Sequence, residues 1–140
     1  MSRDSERIRT RHGELSLEEV AEALPGTAET MAAVGRCYSA CWHAAHGGNW
    51  ELSAYYFRRT RNLLRNLAVR RPKYAEQLAR FDVEALTPLL VTIDARDLST
   101  FDAAHARGID SANEYHVETG HPYIRWLLPD RPPEGLDLNP

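Results

Sequence analysis

The sequence predicts an all-α protein: an antiparallel four-helix bundle with a short N-terminal helix and an extended C-terminal tail. Three observations predict it. Apolar residues recur at spacings of three and four along four long segments, short connections with Gly, Pro or Asn separate these segments, and no stretch alternates long enough to form a sheet. We therefore expect one bundle domain at 15–128, a flexible arm at 1–14 and a Pro-rich tail at 129–140.

The short helix and the first two long helices have clear boundary signals. Ser16 with Glu19 three residues on is a capping-box pattern, and Pro25-Gly26 ends that helix. The first long helix is predicted from Thr27 to His46, with Gly47 or Gly48 as its left-handed C-cap. Asn49 is then a good N-cap for a helix from Trp50 to Arg70, which ends because Arg71 precedes Pro72.

The last two long helices are less sharply bounded. Residues 73–82 start or join a helix whose apolar positions continue to Ile93, and Pro88 either marks the first turn of its main part or bends it. Asp97 or Ser99 caps the next helix, predicted from about Thr100 to Thr119. Gly120 ends it, and the apolar stretch "YIRWLL" at 123–128 is expected to pack back on the bundle.

Charge and composition exclude some classes of function. The net charge is −3, which does not favour a nucleic-acid partner. The chain has no apolar run of membrane-spanning length, and "MSRDSERIRTRHGELS" lacks the apolar region of a signal peptide, so we expect a cytoplasmic protein away from membranes. Residues 50–81 carry +6 and residues 82–140 carry −7. This asymmetry is typical of facing helices, although a basic face for an acidic partner or anion remains open.

The cysteines and histidines are the residues most suited to bind a metal ion or a cofactor. Cys37 and Cys41 are four apart on a helix, too far for a relaxed disulfide, and are expected to be reduced, partly buried thiols. On the last helix, His105 and His116 share the inward arc with Phe101 and Ala112, whereas Asn113 and Glu114 lie on the opposite arc and are expected to face water. His105 and His116 are three turns apart, about 16 Å along the axis, so one metal ion cannot bridge them. On the first long helix, His43 lies on the far side and is expected to be exposed.

Two stretches of the sequence, at 47–59 and 101–124, resemble a known family. Small bundles similar to cytochrome c′ include a bacterial group that reads approximately A-C-N-x-C-H-x-x-T-G-x-x-F-I after F-D-x-A, and G-N-W-x-L-A-x-Y at the start of the second helix. This chain has "FDAAHARGIDSANEYHVETGHPYI" at 101–124 and "GGNWELSAYYFRR" at 47–59. By this resemblance Ala112 and Tyr115 stand at the two cysteine positions and His116 at the axial-ligand position. Covalent haem, which needs both thiols, is therefore not expected.

These observations lead to two hypotheses of different class. The first is a non-catalytic accessory or ligand-binding bundle, with non-covalent haem or a metal ion at His116 left open. Its pocket candidates are inward or aromatic residues of three helices: His105, Tyr115, His116, Tyr38, Trp42, Tyr56 and Arg59. The second is a small subunit of a cytoplasmic enzyme, docked on a larger protein. The resemblance also implies a homodimer. No arrangement typical of a catalytic site is evident, and an enzyme acting alone ranks last.

Overall fold

The computed structural model describes residues 6–140 and is mainly helical. An antiparallel hairpin, β1 (Arg7–Thr10) and β2 (Gly13–Ser16), leads into the helices. The α-helices of the described chain are α1 (Leu17–Ala23), α2 (Thr27–His46), α3 (Trp50–Arg70), α4 (Ala75–Phe81), α5 (Thr87–Ala95) and α6 (Leu98–Glu118). A 3-10 turn, Pro72–Tyr74, precedes α4, and a π-helical turn, Asp82–Leu86, joins α4 to α5.

The hairpin corrects the expectation that the chain contains no sheet. Ile8 faces Leu15 across the two strands, and these are the apolar residues of an otherwise polar segment, which is why no alternating pattern stood out. The Thr10 hydroxyl closes the turn by donating to the Gly13 carbonyl at 2.8 Å. Of the predicted arm at 1–14, residues 1–5 lie outside the described residues.

Local boundary signals placed most helix ends correctly. Ser16 Oγ accepts from the Glu19 amide at 3.1 Å while the Ser16 amide donates to Glu19 Oε1 at 2.9 Å, which is the predicted capping box. Asn49 Oδ1 accepts from the Leu52 amide at 3.1 Å and caps α3. Gly48, with φ of +80°, is the left-handed residue after α2, and Asp97 rather than Ser99 caps α6.

Pro88 lies in the first turn of α5 and does not break the helical path. A proline has no N–H to donate to the carbonyl four residues earlier. The preceding π-helical turn, Asp82–Leu86, adds a residue to the helical path at this point, and such insertions are rare enough to mark a local constraint. The helix therefore continues from Ala75 to Ala95 through a change in winding.

The core lies where α2, α3, α5 and α6 face one another. α2 packs along α3 over most of its length, and α6 contacts α2, α4 and α5. Phe57, Leu86, Leu89 and Phe101 are at most 1% exposed and form its centre. The burial of such side chains, worth roughly 1.5–3 kcal/mol each, is the main favourable contribution to folding.

Side chains of the basic segment 50–81 contact carboxylates of the acidic segment 82–140, as one interpretation of the charge asymmetry predicted. Arg61 donates from two nitrogens to the Asp82 carboxylate at 3.1 and 3.2 Å, and Arg80 contacts Glu118 at 3.0 Å. Among the described residues, however, Arg70 and Arg71 have no carboxylate within ion-pair distance. The basic segment is therefore only partly neutralised.

The residues after α6 run without regular secondary structure back along the helices, as far as α2. The Asn113 side chain holds them in place: its Oδ1 accepts from the Trp126 amide at 2.7 Å, and its Nδ2 donates to the Trp126 carbonyl at 3.1 Å. Trp126 packs against the core, as expected for "YIRWLL", but Tyr123 and Leu127 are largely exposed. The prediction that Asn113 faces water is wrong, because the returning chain covers it.

Candidate functional site

His105 and Tyr38 form a closed pair in the core. His105 is 1% exposed, and its Nε2 donates to the Tyr38 carbonyl at 2.9 Å. In return, the Tyr38 hydroxyl donates to the His105 carbonyl at 2.8 Å, and the two rings stack at 4.0 Å. Burial lowers the pKa of His105 to about 4 and raises that of Tyr38. The predicted inward direction of His105 is confirmed, but its contacts are those of a satisfied core histidine.

Gly108 belongs to the same arrangement. The Tyr38 hydroxyl and the end of its ring lie where a Cβ atom at Gly108 would be, so any larger residue would overlap them. A helix-interior glycine normally costs about 0.5–1 kcal/mol relative to alanine. Here it provides the space in which Tyr38 crosses from α2 to α6.

Trp42 lies in a separate cluster near the end of α2. Its ring stacks on His46 at 3.7 Å, and His46 Nε2 contacts Asp102 Oδ1 at 2.6 Å. His43, predicted to be exposed, is 8% exposed, because the returning chain covers it and the Pro129 carbonyl lies 3.0 Å from its Nε2.

Tyr56 and Arg59 also lie apart from the histidines of α6. Tyr56 is half-buried and packs its ring edge-on to Tyr55 at 5.1 Å. Arg59 is exposed rather than inward, so its placement in a pocket was wrong. Its interaction with the Cys37 side chain, and then with Tyr55, raises the pKa of Arg59.

His116 is half-buried at the C-terminal end of α6. Its Nδ1 lies 3.1 Å from the Ile124 carbonyl, and its ring meets that of Trp126 edge-on at 5.6 Å. A carbonyl oxygen can only accept, so Nδ1 carries the proton and the neutral ring keeps its lone pair on Nε2. Burial lowers the pKa of His116, which favours that neutral form.

Tyr115, next to His116, has a different neighbourhood. Its hydroxyl donates to Glu84 at 3.1 Å, and the Arg80 guanidinium lies 5.4 Å from the centre of its ring. Burial, and then the hydrogen bond to the Glu84 carboxylate, raise its pKa. Tyr115 is therefore a neutral phenol whose hydroxyl is already hydrogen-bonded to Glu84.

A cavity of about 420 Å³ opens beside these two residues, bounded by α2, α3, α4, α6 and the returning chain. Its walls are mainly apolar and include Met31, Leu64, Leu67, Leu78, Phe81, Ala112, Ile124 and Trp126. The polar groups that reach it include Tyr115, His116, Gln77 and His121. Gln77 Oε1 is buried without a hydrogen-bond partner among the described residues.

Of the seven pocket candidates, Tyr115 and His116 line this cavity, and the other five do not. Tyr38 instead lines a second cavity of about 510 Å³ that lies between α2, α6 and residues 126–134. Sequence reasoning missed Gln77, His121 and Trp126. The signal for Trp126 was present in the apolar stretch "YIRWLL", but nothing local indicates what Gln77 approaches.

The described residues bring no three His, Cys, Asp or Glu side chains together as a metal site would require. His116 Nε2 is thus a single imidazole donor. In the part of the chain from residue 6 onward, no helix is long and apolar enough to cross a bilayer.

Comparisons of this chain with protein-family models, with curated proteins and with solved structures found no match.

Proposed function

We propose that this chain is a non-catalytic helical bundle that binds a small, largely apolar molecule in the cavity beside His116. The observation that carries the proposal is the cavity itself, about 420 Å³ with mainly apolar walls and a few polar groups. Ligand sites in proteins are typically about 300–1,000 Å³, mostly apolar, with a few polar groups that orient the ligand. Gln77 Oε1, which has no donor among the described residues, supports the same interpretation, because a buried acceptor without a donor is uncommon.

The proposal includes a relationship to cytochrome c′-like proteins that lack covalent haem. In it, α2, α3, the helix from α4 to α5, and α6 form an antiparallel bundle in the cytoplasm. Ala112, Tyr115 and His116 support this, because the residues at the former cysteine and axial positions all line one cavity. In this proposal the binding site has the same position in the fold as in that family, but the two cysteines that attach haem covalently are absent.

A neutral fluorescent probe tests the cavity. N-phenyl-1-naphthylamine should bind with one saturable site and gain fluorescence. Ala28→Trp places a large ring at the wall of the cavity and should weaken binding at least tenfold. Ala106→Trp, at an exposed position of α6 away from the cavity, is the matched control and should bind as the unmodified chain does. Absence of saturable binding, or equal loss in both variants, would refute the proposal.

Non-covalent haem is a second candidate, and the hydrogen bond of His116 favours it. A ligating histidine commonly donates its other ring N–H to a carbonyl or carboxylate, which directs the free nitrogen at the metal. His116 has that arrangement through Ile124. When bound, haem would supply an iron centre, and His116 would hold the iron through Nε2. Cys37 and Cys41 do not line the cavity, so they would not attach it.

A visible spectrum after titration with haemin tests this candidate. We expect a Soret band that His116→Ala removes and that His12→Ala, at an exposed position of the hairpin turn, leaves unchanged. A spectrum identical to free haemin, or one that His116→Ala does not alter, would eliminate haem and leave the neutral-probe result standing.

Docking on a larger protein, or on a second copy, is the remaining candidate. It is favoured by large apolar side chains at the end of α6 and beyond it: Val117 is 61%, Tyr123 76% and Leu127 84% exposed. Native mass spectrometry of the untagged chain would report a fixed-stoichiometry partner, a dimer or a retained ligand in one measurement. A bare monomer would count against docking.

A further inference from the structure

Positive charge without an acidic partner in the described chain lies beside the cavity, next to the part of its wall that Thr27, Ala28 and Tyr74 form. Arg70 and Arg71 do not line the cavity themselves. Arg70 is the last residue of α3, one turn after cavity-lining Leu67, and Arg71, the first residue after the helix, contacts Thr27 through its side chain. The basic segment noted in the sequence is therefore adjacent to the apolar cavity at Thr27.

Both arginines are held toward α2 by neutral groups. Arg71 Nε donates to Thr27 Oγ1 at 3.2 Å, and Arg70 Nη2 donates to Thr30 Oγ1 at 2.7 Å. Arg71 Nη1 also donates to the Arg70 carbonyl at 3.2 Å. Arg70 Nε is buried and has no partner among the described residues. The two guanidinium groups are thus positioned, and they retain donors that protein groups do not use.

Two carboxylates belong to the helices that flank the arginines: Glu29, in the first turn of α2, and Glu76, in the first turn of α4. Both are exposed, and within the described chain neither lies within 4.0 Å of an arginine or lysine nitrogen. Lys73 adds a third cation beside the Tyr74 ring, at 5.0 Å from its centre. Elsewhere on α3, by contrast, Arg61 and Arg65 share Asp82.

From this juxtaposition we infer that the ligand of the cavity is a small apolar carboxylic acid, whose carboxylate binds Arg70 and Arg71 beside Thr27. Its hydrocarbon part occupies the cavity along Leu67 and Met31. The inference rests on the proposed binding function and adds the charge and the orientation of the ligand. Guanidinium groups suit carboxylates because their planar donors can form two parallel hydrogen bonds.

Two other polar groups of the cavity wall are less suited to an anion. His116 uses its Nδ1 proton on Ile124, and its neutral ring presents a lone pair. Gln77 Oε1, which has no partner among the described residues, is also an acceptor. A carboxylate beside either group would meet an acceptor, which favours the orientation with the carboxylate at Thr27.

Decanoate and 1-decanol, which share a hydrocarbon chain and differ in charge, test the inference by isothermal titration calorimetry. We expect decanoate to bind about tenfold more tightly, the size of one charge-assisted interaction. Arg71→Gln and Arg70→Gln should each reduce that preference and leave decanol binding unchanged. Arg58→Gln, at an exposed position of the same helix, should keep it. Circular dichroism checks that each variant is folded.

The outcomes separate the inference from the proposed function. Equal affinity for both compounds, lost in Ala28→Trp, would overturn the carboxylate inference and leave the cavity as a binding site for neutral molecules. A decanoate preference that survives in both Arg70→Gln and Arg71→Gln would also overturn it. Failure of both compounds and of the neutral probe to bind would refute the proposed function itself.

Discussion

Acid should destabilise this protein through His105. The imidazole is 1% exposed, and its folded-state pKa is about 4 against 6.5 for the unperturbed group. Between these two pKa values His105 is protonated in the unfolded chain but neutral in the native state. The free energy of unfolding therefore falls as pH drops from 6.5 to about 4. At roughly 1.4 kcal/mol per pKa unit, this shift corresponds to a loss of about 3 kcal/mol.

The neighbours of His105 modify this value without reversing it. Burial is the largest cause, and the hydrogen bond to Tyr38 and the charge of Asp102 oppose it, whereas His46 and His43 add to it. The pKa of half-buried His116 is also lowered by burial, which adds acid sensitivity of the same sign.

Urea unfolding followed by circular dichroism at pH 7.5, 6.5, 5.5 and 4.5 measures the effect. His105→Gln keeps an amide N–H within reach of the Tyr38 carbonyl but does not titrate, so its free energy of unfolding should fall less steeply over this range. His12→Gln, at an exposed position, is the control and should follow the original curve. Parallel curves for the original chain and His105→Gln would refute the reasoning, as would an NMR titration that places protonation of His105 near pH 6.5.

Three further predictions concern packing. Gly108→Ala should destabilise the fold by about 1–3 kcal/mol, because the new methyl group overlaps the Tyr38 hydroxyl; combination with Tyr38→Phe should recover part of the loss, and strict additivity in urea unfolding would contradict this. Asn113→Ala removes both hydrogen bonds that hold residue 126, so limited proteolysis should cut residues 119–140 faster while the helical signal is retained; unchanged cleavage would count against this anchor. Leu89→Ala, at a position with 0% exposure, should cost about 2–5 kcal/mol in free energy of unfolding, against less than about 0.5 for Val91→Ala on the exposed side of the same helix. Similar losses of free energy of unfolding for Leu89→Ala and Val91→Ala would contradict the burial of Leu89 in the core.

The helical periodicity of the sequence predicted some features of the candidate site but not others. The helical period put His105, Ala112 and His116 on the inward side of α6, because side chains three, four and seven apart share a face. The same argument failed for His43 and Asn113, which the wheel placed in solvent. Both are covered by chain that returns from beyond α6, and no periodicity within a helix can report a neighbour 86 residues away.

Helix boundaries were set by the sequence itself. The reciprocal bonds of Ser16 and Glu19, the Asn49 cap and the proline after Arg71 act within a few residues, so a short stretch contains all of their chemistry. Tertiary structure alone decided the partners of His116, and it decided that Arg70 has a threonine rather than a carboxylate as its partner among the described residues. Those depend on which surfaces α3, α6 and the returning chain present to one another, and the packing of distant side chains determines that arrangement.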